Sequence, residues 1–284
     1  MGKPNVGKSS LLNQIVGQDI AIVTYRPQTT RTKITGIVTQ DDTQLVFIDT
    51  PGLLKPKTTL QQNMVRTVNE AVGDVDAAVL VVEPTGEPTK AEQELIRRFK
   101  QSNMPAVLVI NKIDLLPNKQ SLMQRMQMFM QLYNFSAIVP LSAKTGNGVS
   151  LLLKELQRFA VESVHFFPDD AITDQPEKVL AAEMLRKHIL LQMNEEIPHG
   201  IAVTVEKWQE KKRRLYIEML ILCNRENHKG MIIGKNGQRL KEIATKARED
   251  MQRFFDLPVD LRCWVKVKEN WQNNANLIRS YGLE

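Results

Sequence analysis

The first ten residues combine the residue types that bind a phosphate chain. Gly2–Ser9 reads GKPNVGKS and fits the pattern G-x-x-x-x-G-K-[ST], in which backbone N–H groups of a glycine-rich loop surround phosphate oxygens. Lys8 would reach the terminal phosphates, and the Ser9 hydroxyl would bind Mg²⁺. The sequence therefore predicts a nucleotide phosphate site made by Gly2, Lys3, Pro4, Asn5, Val6, Gly7, Lys8, Ser9 and Ser10.

A second motif supplies groups for the metal ion and the terminal phosphate. Asp49, Thr50, Pro51 and Gly52 follow an apolar run, so the Asp49 carboxylate would end a strand near the metal, and the Gly52 N–H would donate to the γ-phosphate. The run Gln28–Arg31 offers a threonine that could bind Mg²⁺ only while the γ-phosphate is present. We favour Thr30, with Thr29 as the alternative. We predict that hydrolysis uses Lys8, Thr30 and Gly52, and that Mg²⁺ is bound by Ser9, Thr30 and Asp49.

Two further motifs would form the base pocket. Asn111, Lys112, Ile113 and Asp114 follow a second apolar run. A carboxylate at Asp114 can accept from both N1–H and the exocyclic amine of guanine, whereas adenine offers no such pair of donors. A third run leads to Ser142, Ala143 and Lys144, the weakest of the four motifs when taken alone. Four motifs in this order indicate a GTPase.

Two residues bear on the mechanism of hydrolysis. Leu53 stands where many GTPases place a glutamine that orients the attacking water. Leucine cannot do so, and we expect hydrolysis to be slow without an activator. Asn5 is of a type that helps to hold K⁺ in GTPases where others use an arginine finger; alternatively, it only shapes the loop.

Alternating strand and helix patterns over residues 1–164 predict an α/β P-loop GTPase domain with a doubly wound, mostly parallel sheet. Residues 165–176, HFFPDDAITDQP, interrupt the pattern and are predicted to be a linker. Residues 177–272 read α-β-β-α-α-β, which predicts a small α+β domain. Residues 273–284 are interpreted as a C-terminal tail.

The second domain contains a glycine loop between two helix patterns. Gly230–Lys241 reads GMIIGKNGQRLK and resembles the GXXG loop of a type II KH domain, which holds a single-stranded nucleic acid backbone. The basic run Lys211–Arg214 is a solvated turn or an auxiliary RNA contact. The predicted RNA-binding residues are Met231, Ile232, Ile233, Gly234, Lys235, Asn236, Gly237, Arg239 and Lys241.

Composition narrows the class of protein. The chain has 284 residues, 42% of them apolar, and a net charge of +6, which suits two packed domains and an acidic partner. Cys223 and Cys263 form no C-x-x-C pair, so a zinc site is not expected. No secretory signal or apolar run of membrane-spanning length is present. The two cysteines are interpreted as buried thiols in a reducing cytoplasm.

The complete set of motifs resembles the Era GTPases. GKPNVGKSS, QTTR, DTPG, NKID and SAK are joined to GMIIGKNGQRLK, and FPDDAITDQP and WVKVKENW also look like that family. The resemblance implies a bacterial GTPase that uses GTP, GDP and Mg²⁺. It also implies binding to the 3′ end of small-subunit (16S-type) rRNA through the KH domain, a part in assembly of the small ribosomal subunit, and peripheral association with the cell membrane.

One departure from that family leaves alternatives open. Era GTPases carry a strand before the phosphate loop, whereas Met1 directly precedes Gly2 here. The leading prediction is a GTP-hydrolysing, RNA-binding switch. The alternative is an RNA-binding adaptor whose truncated G domain does not hydrolyse GTP. A third and lesser alternative is a member of the same GTPase superfamily that binds another RNA. The GXXG loop argues against those members whose KH-like domains lack this loop.

Overall fold

The computed structural model describes residues 1–26, 29–52, 56–71, 75–116, 118–193 and 200–283. The chain forms two compact units, and each unit draws on more than one stretch of sequence. The first contains Met1–Gln18, Lys33–Leu54 and Val65–Asp174, and the second contains Asp19–Thr32, Lys55–Met64 and Gln175–Glu284. Two short segments from the amino-terminal half thus belong to the carboxy-terminal unit, which a single boundary near residue 164 does not anticipate.

The helices and strands of the amino-terminal half alternate as the apolar patterns predict. They are α1 (Lys8–Val16), β1 (Ile34–Gln40), β2 (Thr43–Asp49), α2 (Thr59–Ala71), β3 (Ala78–Val82), α3 (Lys90–Ser102), β4 (Ala106–Ile110), α4 (Lys119–Met130), β5 (Ala137–Pro140) and α5 (Val149–Gln157).

Three of these strands form a parallel sheet in the order β3-β4-β5. Every residue of the central strand β4 is completely buried, which is why its sequence, AVLVI, is a continuous apolar run without polar alternation. The loops after β3, β4 and β5, of which the last two carry motifs, therefore leave the same edge of the sheet.

Strands β1 and β2 form a separate antiparallel pair, with Ile37 opposite Val46. The apolar-run criterion missed β1, because threonine and glycine interrupt its sequence, ITGIVTQ. Among the described residues, β2 and β3 are not hydrogen-bonded to each other.

An apolar cavity of about 430 Å³ lies along both of these strands. Met1 already occupies one extended position on the free edge of β3: its N–H donates to the Val79 carbonyl (2.7 Å), and its own carbonyl accepts from Val81 N–H (2.9 Å). This is the hydrogen-bond pattern of a parallel strand. The rest of the lining is largely apolar and includes Leu11, Ile15, Leu45, Phe47, Leu152, Leu156 and Phe159.

The predicted linker is for the most part fixed to the first unit. Ile37 N–H donates to the Ile172 carbonyl (2.9 Å), the Thr173 hydroxyl donates to the Thr35 carbonyl (2.6 Å), and Gln44 donates to the Phe167 carbonyl (2.9 Å). The prediction that 165–176 is a linker between the two domains is therefore corrected as far as Asp174, which belongs to the first unit. Proline and aspartate marked an irregular segment, but its backbone is bound to β1 and β2.

The second unit has the predicted order of elements around a sheet β6-β7-β8, in which β7 pairs antiparallel with β6 and parallel with β8. Helices α6, α7 and α8 share a core with the alternate apolar residues of β7, such as Ile217 and Met219. The elements are α6 (Glu177–Gln192), β6 (Ala202–Lys211), β7 (Arg214–Cys223), α7 (Glu226–Ile233), α8 (Gln238–Phe255), β8 (Val259–Val267) and α9 (Ala275–Ser280).

The C-terminal segment packs against the opposite face of this sheet and is not a tail. Ile278 in α9 and Trp271 are completely buried and pack with Leu220 and Leu222 on the other face of the sheet. The Trp271 ring N–H donates to the Gly200 carbonyl (3.0 Å). The interpretation of 273–284 as a tail is therefore corrected. In the part of the chain that the structure describes, no helix is long and apolar enough to cross a membrane.

The facing edges of β2 and β3, which have no strand partner in the described part of the chain, predict that the first unit is the less stable of the two. Unpaired backbone groups and uncovered apolar side chains both weaken a parallel sheet. We expect two separable unfolding transitions, the first belonging to this unit. Six β-branched residues added ahead of Met1 should raise that transition, by about 2–4 °C for each kcal/mol gained, and should tighten GTP binding.

Differential scanning calorimetry and GTP titration test this prediction, with a Gly/Ser extension of equal length as the control. Identical melting and affinity for the two extended chains would show that the free edge of β3 does not limit stability.

Candidate functional site

The phosphate loop is held in a conformation that requires glycine at Gly7. Gly7 has φ +97°, and a Cβ placed on it would lie 2.2 Å from the Asn111 amide nitrogen. Both the backbone angle and the close approach exclude a larger residue. On the other side of the loop, a Cβ at Gly52 would lie 3.1 Å from the Pro4 ring, so the Asp49–Gly52 segment lies directly against the loop.

Lys8 is folded back onto this loop. Its ammonium group donates to the carbonyls of Lys3 (2.8 Å) and Gly2 (3.2 Å). Burial lowers the pKa of Lys8, and the nearby Asp49 carboxylate opposes that change. A buried ammonium group bound by backbone carbonyls is suited to exchange those partners for phosphate oxygens.

Ser9 and Asp49 come together as the sequence predicts. Ser9, in the first turn of α1, donates its hydroxyl hydrogen to Asp49 Oδ2 at 2.6 Å. Asp49 is the last residue of β2 and is 6% exposed. A hydroxyl and a carboxylate oxygen at this separation are hard ligands of the kind that Mg²⁺ prefers, with the remaining positions left for phosphate and water.

Asn111 connects three of the motif loops. Its side chain, 2% exposed, donates to the Val6 carbonyl in the phosphate loop (2.8 Å) and accepts from the Ala143 N–H (2.9 Å). Ser142 is equally buried, and its hydroxyl accepts from the Thr145 N–H (3.3 Å). The motif Ser142–Lys144, the weakest in the sequence, is thus joined through Asn111 to the phosphate loop.

Lys112 makes a second link between the base loop and the phosphate loop. Its ammonium group donates to the Asn5 carbonyl (2.7 Å) and to the Glu83 carboxylate (2.7 Å). Sequence reasoning missed Glu83. The available signal was its position directly after β3, which has the same relation to its strand as Asn111 has to β4.

The structure does not place every predicted ligand in this group. Asp114 lies in a short 3₁₀ turn, Ile113–Leu115, and is exposed. Thr30 is buried and belongs to the second unit, whereas Ser9 and Asp49 belong to the first. Its role as a Mg²⁺ ligand stays a prediction. Leu53 and Gln28 lie outside the described residues.

The glycine loop of the second unit joins α7 to α8. Gly234 has φ +74°, and a Cβ there would lie 2.6 Å from Cβ of Arg239, whereas a Cβ at Gly237 would meet no atom within 4 Å. Lys235 and Asn236 between them are exposed. The guanidinium group of Arg239 donates to the Met231 carbonyl at the end of α7 (2.8 Å), so this residue also shapes the loop.

A cleft of about 1100 Å³ adjoins this loop. Gly237 and Lys241, both predicted, contribute to its lining. Ile232 does not face it: its side chain is completely buried in the core of the unit, because α7 directs that position toward the sheet, and its prediction as an RNA-binding residue is corrected. Residues of the lining that the sequence analysis missed include Leu240, Ala244, Arg248, Leu261, Arg262 and Cys263. Lys211, from the basic turn, also lines it.

The two units together define the class of protein. Residues 1–112 match the family model described as 50S ribosome-binding GTPase, and residues 196–272 match the KH domain. The chain therefore combines a P-loop GTPase domain, built on a parallel sheet, with a KH domain, and the predicted fold class is confirmed.

Comparison over the whole length identifies the family. The chain is 43% identical to GTPase Era of Ruminiclostridium cellulolyticum over 285 residues, which cover 100% of this chain and 95% of the relative. It is 42% identical to GTPase Era of Clostridioides difficile strain 630, with 99% and 96% covered. The chain belongs to the Era GTPase family.

Two solved structures resemble the chain over nearly its full length. A point variant of Aquifex aeolicus Era bound to GDP·AlF₄⁻ has a TM-score of 0.95 and 34% identity, covering 99% of this chain and 96% of that one. Era in complex with MgGDPNP and nucleotides 1506–1542 of 16S ribosomal RNA has a TM-score of 0.93 and 33% identity, with the same coverage.

Asp114 should determine which base is bound. Asp114→Asn would place an amide donor against the donors of guanine, and we expect GTP affinity to fall by ~1–3 kcal/mol, as for a mismatched polar contact. Xanthosine triphosphate should bind better than GTP to the variant. Competition titrations with GTP, XTP and ATP measure this. If the Asp114→Asn variant kept the base preference of the parent chain, the assignment of Asp114 to the base pocket would be refuted.

Proposed function

We propose that this chain is a GTP-hydrolysing switch that binds the 3′ end of small-subunit rRNA and assists assembly of the small ribosomal subunit. The observation that carries the nucleotide half is the contact between Ser9 and Asp49 beside the loop that Gly7 and Lys8 shape. A guanine nucleotide would place its phosphates on this loop and its base toward Asp114.

In this proposal each residue has a defined part. Lys8 neutralises charge on the terminal phosphates, and the Gly52 N–H binds the γ-phosphate. Ser9 and Asp49, joined by Thr30 in the GTP-bound state, would hold Mg²⁺, and the bound ion would supply neutralisation of negative charge on the phosphate oxygens. Because the sequence has leucine at position 53, hydrolysis depends on another group to orient water and is slow without an activator.

The alternative is an RNA-binding adaptor that does not hydrolyse GTP. It is favoured by the edges of β2 and β3 that have no strand partner among the described residues, since the phosphate loop then has weaker support from the sheet. Titration of the purified chain with GTP, GDP and ATP in the presence of Mg²⁺, followed by phosphate release, separates the two. Guanine-specific binding with turnover supports the switch. RNA binding without either activity would establish the adaptor.

We further propose that hydrolysis is stimulated by K⁺ held near Asn5. Asn5 has φ +64°, a left-handed conformation that asparagine tolerates well, so the same residue also suits a purely structural part in the loop. Asn5→Gly keeps the backbone freedom and removes the side-chain oxygen.

We expect GTP turnover in KCl to exceed that in NaCl of equal ionic strength by about tenfold, well below the effect of an arginine finger. The Asn5→Gly variant should lose the difference between the two salts. Equal rates for the unmodified chain in both salts would leave Asn5 with its structural part alone.

The RNA half of the proposal is based on the exposed loop at Gly234–Gly237 and the adjoining cleft. Because its two glycines have no side chains, the loop would allow the backbone of single-stranded RNA to approach closely. Lys235 and Lys241 would face the RNA phosphates. The solved relative with nucleotides 1506–1542 of 16S ribosomal RNA gives the RNA class. Peripheral membrane association is also proposed, on the family resemblance and the net charge of +6.

RNA binding should depend on the glycine loop. Lys235→Asp combined with Asn236→Asp would set two negative charges against the RNA backbone, so single-stranded RNA affinity should fall steeply while GTP binding persists. The parent affinity should also decrease with salt, since each phosphate contact releases a counterion. Filter binding or fluorescence anisotropy measures both effects.

The matched control is Lys100→Asp with Gln101→Asp, an exposed lysine–amide pair at the end of α3. It makes the same change in charge away from the loop. If the loop variant retains RNA binding and a Lys211→Asp variant does not, the site lies at the basic turn instead.

A further inference from the structure

Glu83 and Lys112 form an ion pair that the motif-based description of the nucleotide site does not include. Glu83 follows β3 directly, and its carboxylate lies 2.7 Å from the Lys112 ammonium group. The same ammonium group donates to the Asn5 carbonyl at 2.7 Å. Lys112 is thereby held between two acceptors from two different loops, one neutral and one negatively charged.

The backbone at Glu83 is itself fixed from beneath. Arg125 in α4, 3% exposed, donates to the carbonyls of Glu83 (3.2 Å) and Gly86 (2.6 Å). Its guanidinium group stacks over Phe129 at 4.5 Å from the ring centroid. It also pairs with the buried Glu92 carboxylate at 3.6 Å. A buried, multiply bonded arginine of this kind holds the loop after β3 in one position.

These contacts have a consequence for the base loop. Lysine loses considerable rotamer freedom when it is fixed. A single carbonyl acceptor is a weak restraint on an ammonium group that is about a third exposed, and a carboxylate makes a stronger, charge-assisted hydrogen bond. Glu83 therefore keeps Lys112 against the phosphate loop, which ties the base loop to the phosphate loop.

We propose that Glu83 is a positioning residue for guanine nucleotide retention: through Lys112 it joins the base loop to the phosphate loop and slows nucleotide release. This inference rests on the proposed function of the nucleotide site. The Lys112 ammonium group bonds to Asn5 and Glu83, whereas the proposed metal ligands Ser9 and Asp49 bond to each other, so the Glu83–Lys112 pair acts on the link between the base loop and the phosphate loop. The effect is therefore expected to be the same for GDP and GTP.

The test is the dissociation rate of a fluorescent GDP and of a fluorescent non-hydrolysable GTP analogue from the full chain with Mg²⁺. We expect Glu83→Gln to accelerate release of both by about tenfold, the scale of one charge-assisted hydrogen bond. The matched control is Glu94→Gln. Glu94 is 44% exposed, compared with 40% for Glu83, and is paired with Arg97 at the same distance of 2.7 Å.

Two further measurements separate positioning from a general structural part. The nucleotide-free unfolding transition of Glu83→Gln should match that of the parent chain. In a Lys112→Met background, Glu83→Gln should cause no additional acceleration, since the two changes remove one interaction.

Release as slow as in Glu94→Gln would overturn the proposal, and so would an acceleration that persists in Lys112→Met. A lowered nucleotide-free transition would also overturn it. If the parent chain itself binds no guanine nucleotide, the proposed function of the site fails. Nucleotide titration of the parent chain shows this before any variant is compared.

Discussion

The nucleotide site depends on the need to satisfy one buried amide. Asn111 is almost completely buried at the end of β4, the central strand of the parallel sheet. Each donor or acceptor of a buried amide that has no partner would lower the stability of the fold by ~1–3 kcal/mol. Its two bonds, to the Val6 carbonyl and the Ala143 N–H, meet that requirement and hold together loops from three separate parts of the chain. The Asn111 side chain, which directly follows the central strand, thus also holds the loops of the site together.

Sequence reasoning found the parts of the site whose chemistry is local and missed those whose chemistry depends on the fold. Ser9 and Asp49 were predictable, because a phosphate loop and a strand-ending aspartate each have a short signature. Glu83 has none: a glutamate after a strand gains meaning only when the neighbouring strand brings Lys112 within 2.7 Å. The burial of Ile232 and of Ile278 was unpredictable for the same reason, since each side chain is directed by a helix whose packing the sequence does not display.

The fold also explains how the elements that carry the site differ in support. Strand β4 has a neighbour on each side and is completely buried, and the loops that follow β4 and β5 are joined through Asn111. Among the strands that the structure describes, β2, which delivers Asp49, pairs with β1 and has no partner on the side of β3. Asp49 is paired with Ile34 in the β1–β2 ladder and bound to Ser9 through its carboxylate, so the metal half of the site is carried by this two-stranded pair and the base half by the three-stranded sheet.

The two lysines of the site differ in what nucleotide binding would do to them. Both donate to backbone carbonyls of the phosphate loop. The carbonyl bonds of Lys8 occupy an ammonium group whose pKa is lowered by burial, while Asp49 opposes that effect. A bound phosphate would act in the same direction as Asp49 and stabilise the charged form, so Lys8 gains by exchanging its partners. The charge of Lys112 is already stabilised by the Glu83 carboxylate, so a bound phosphate would not favour an exchange of its partners. One lysine is thus arranged to respond to the ligand, and the other to keep the loops around it in place.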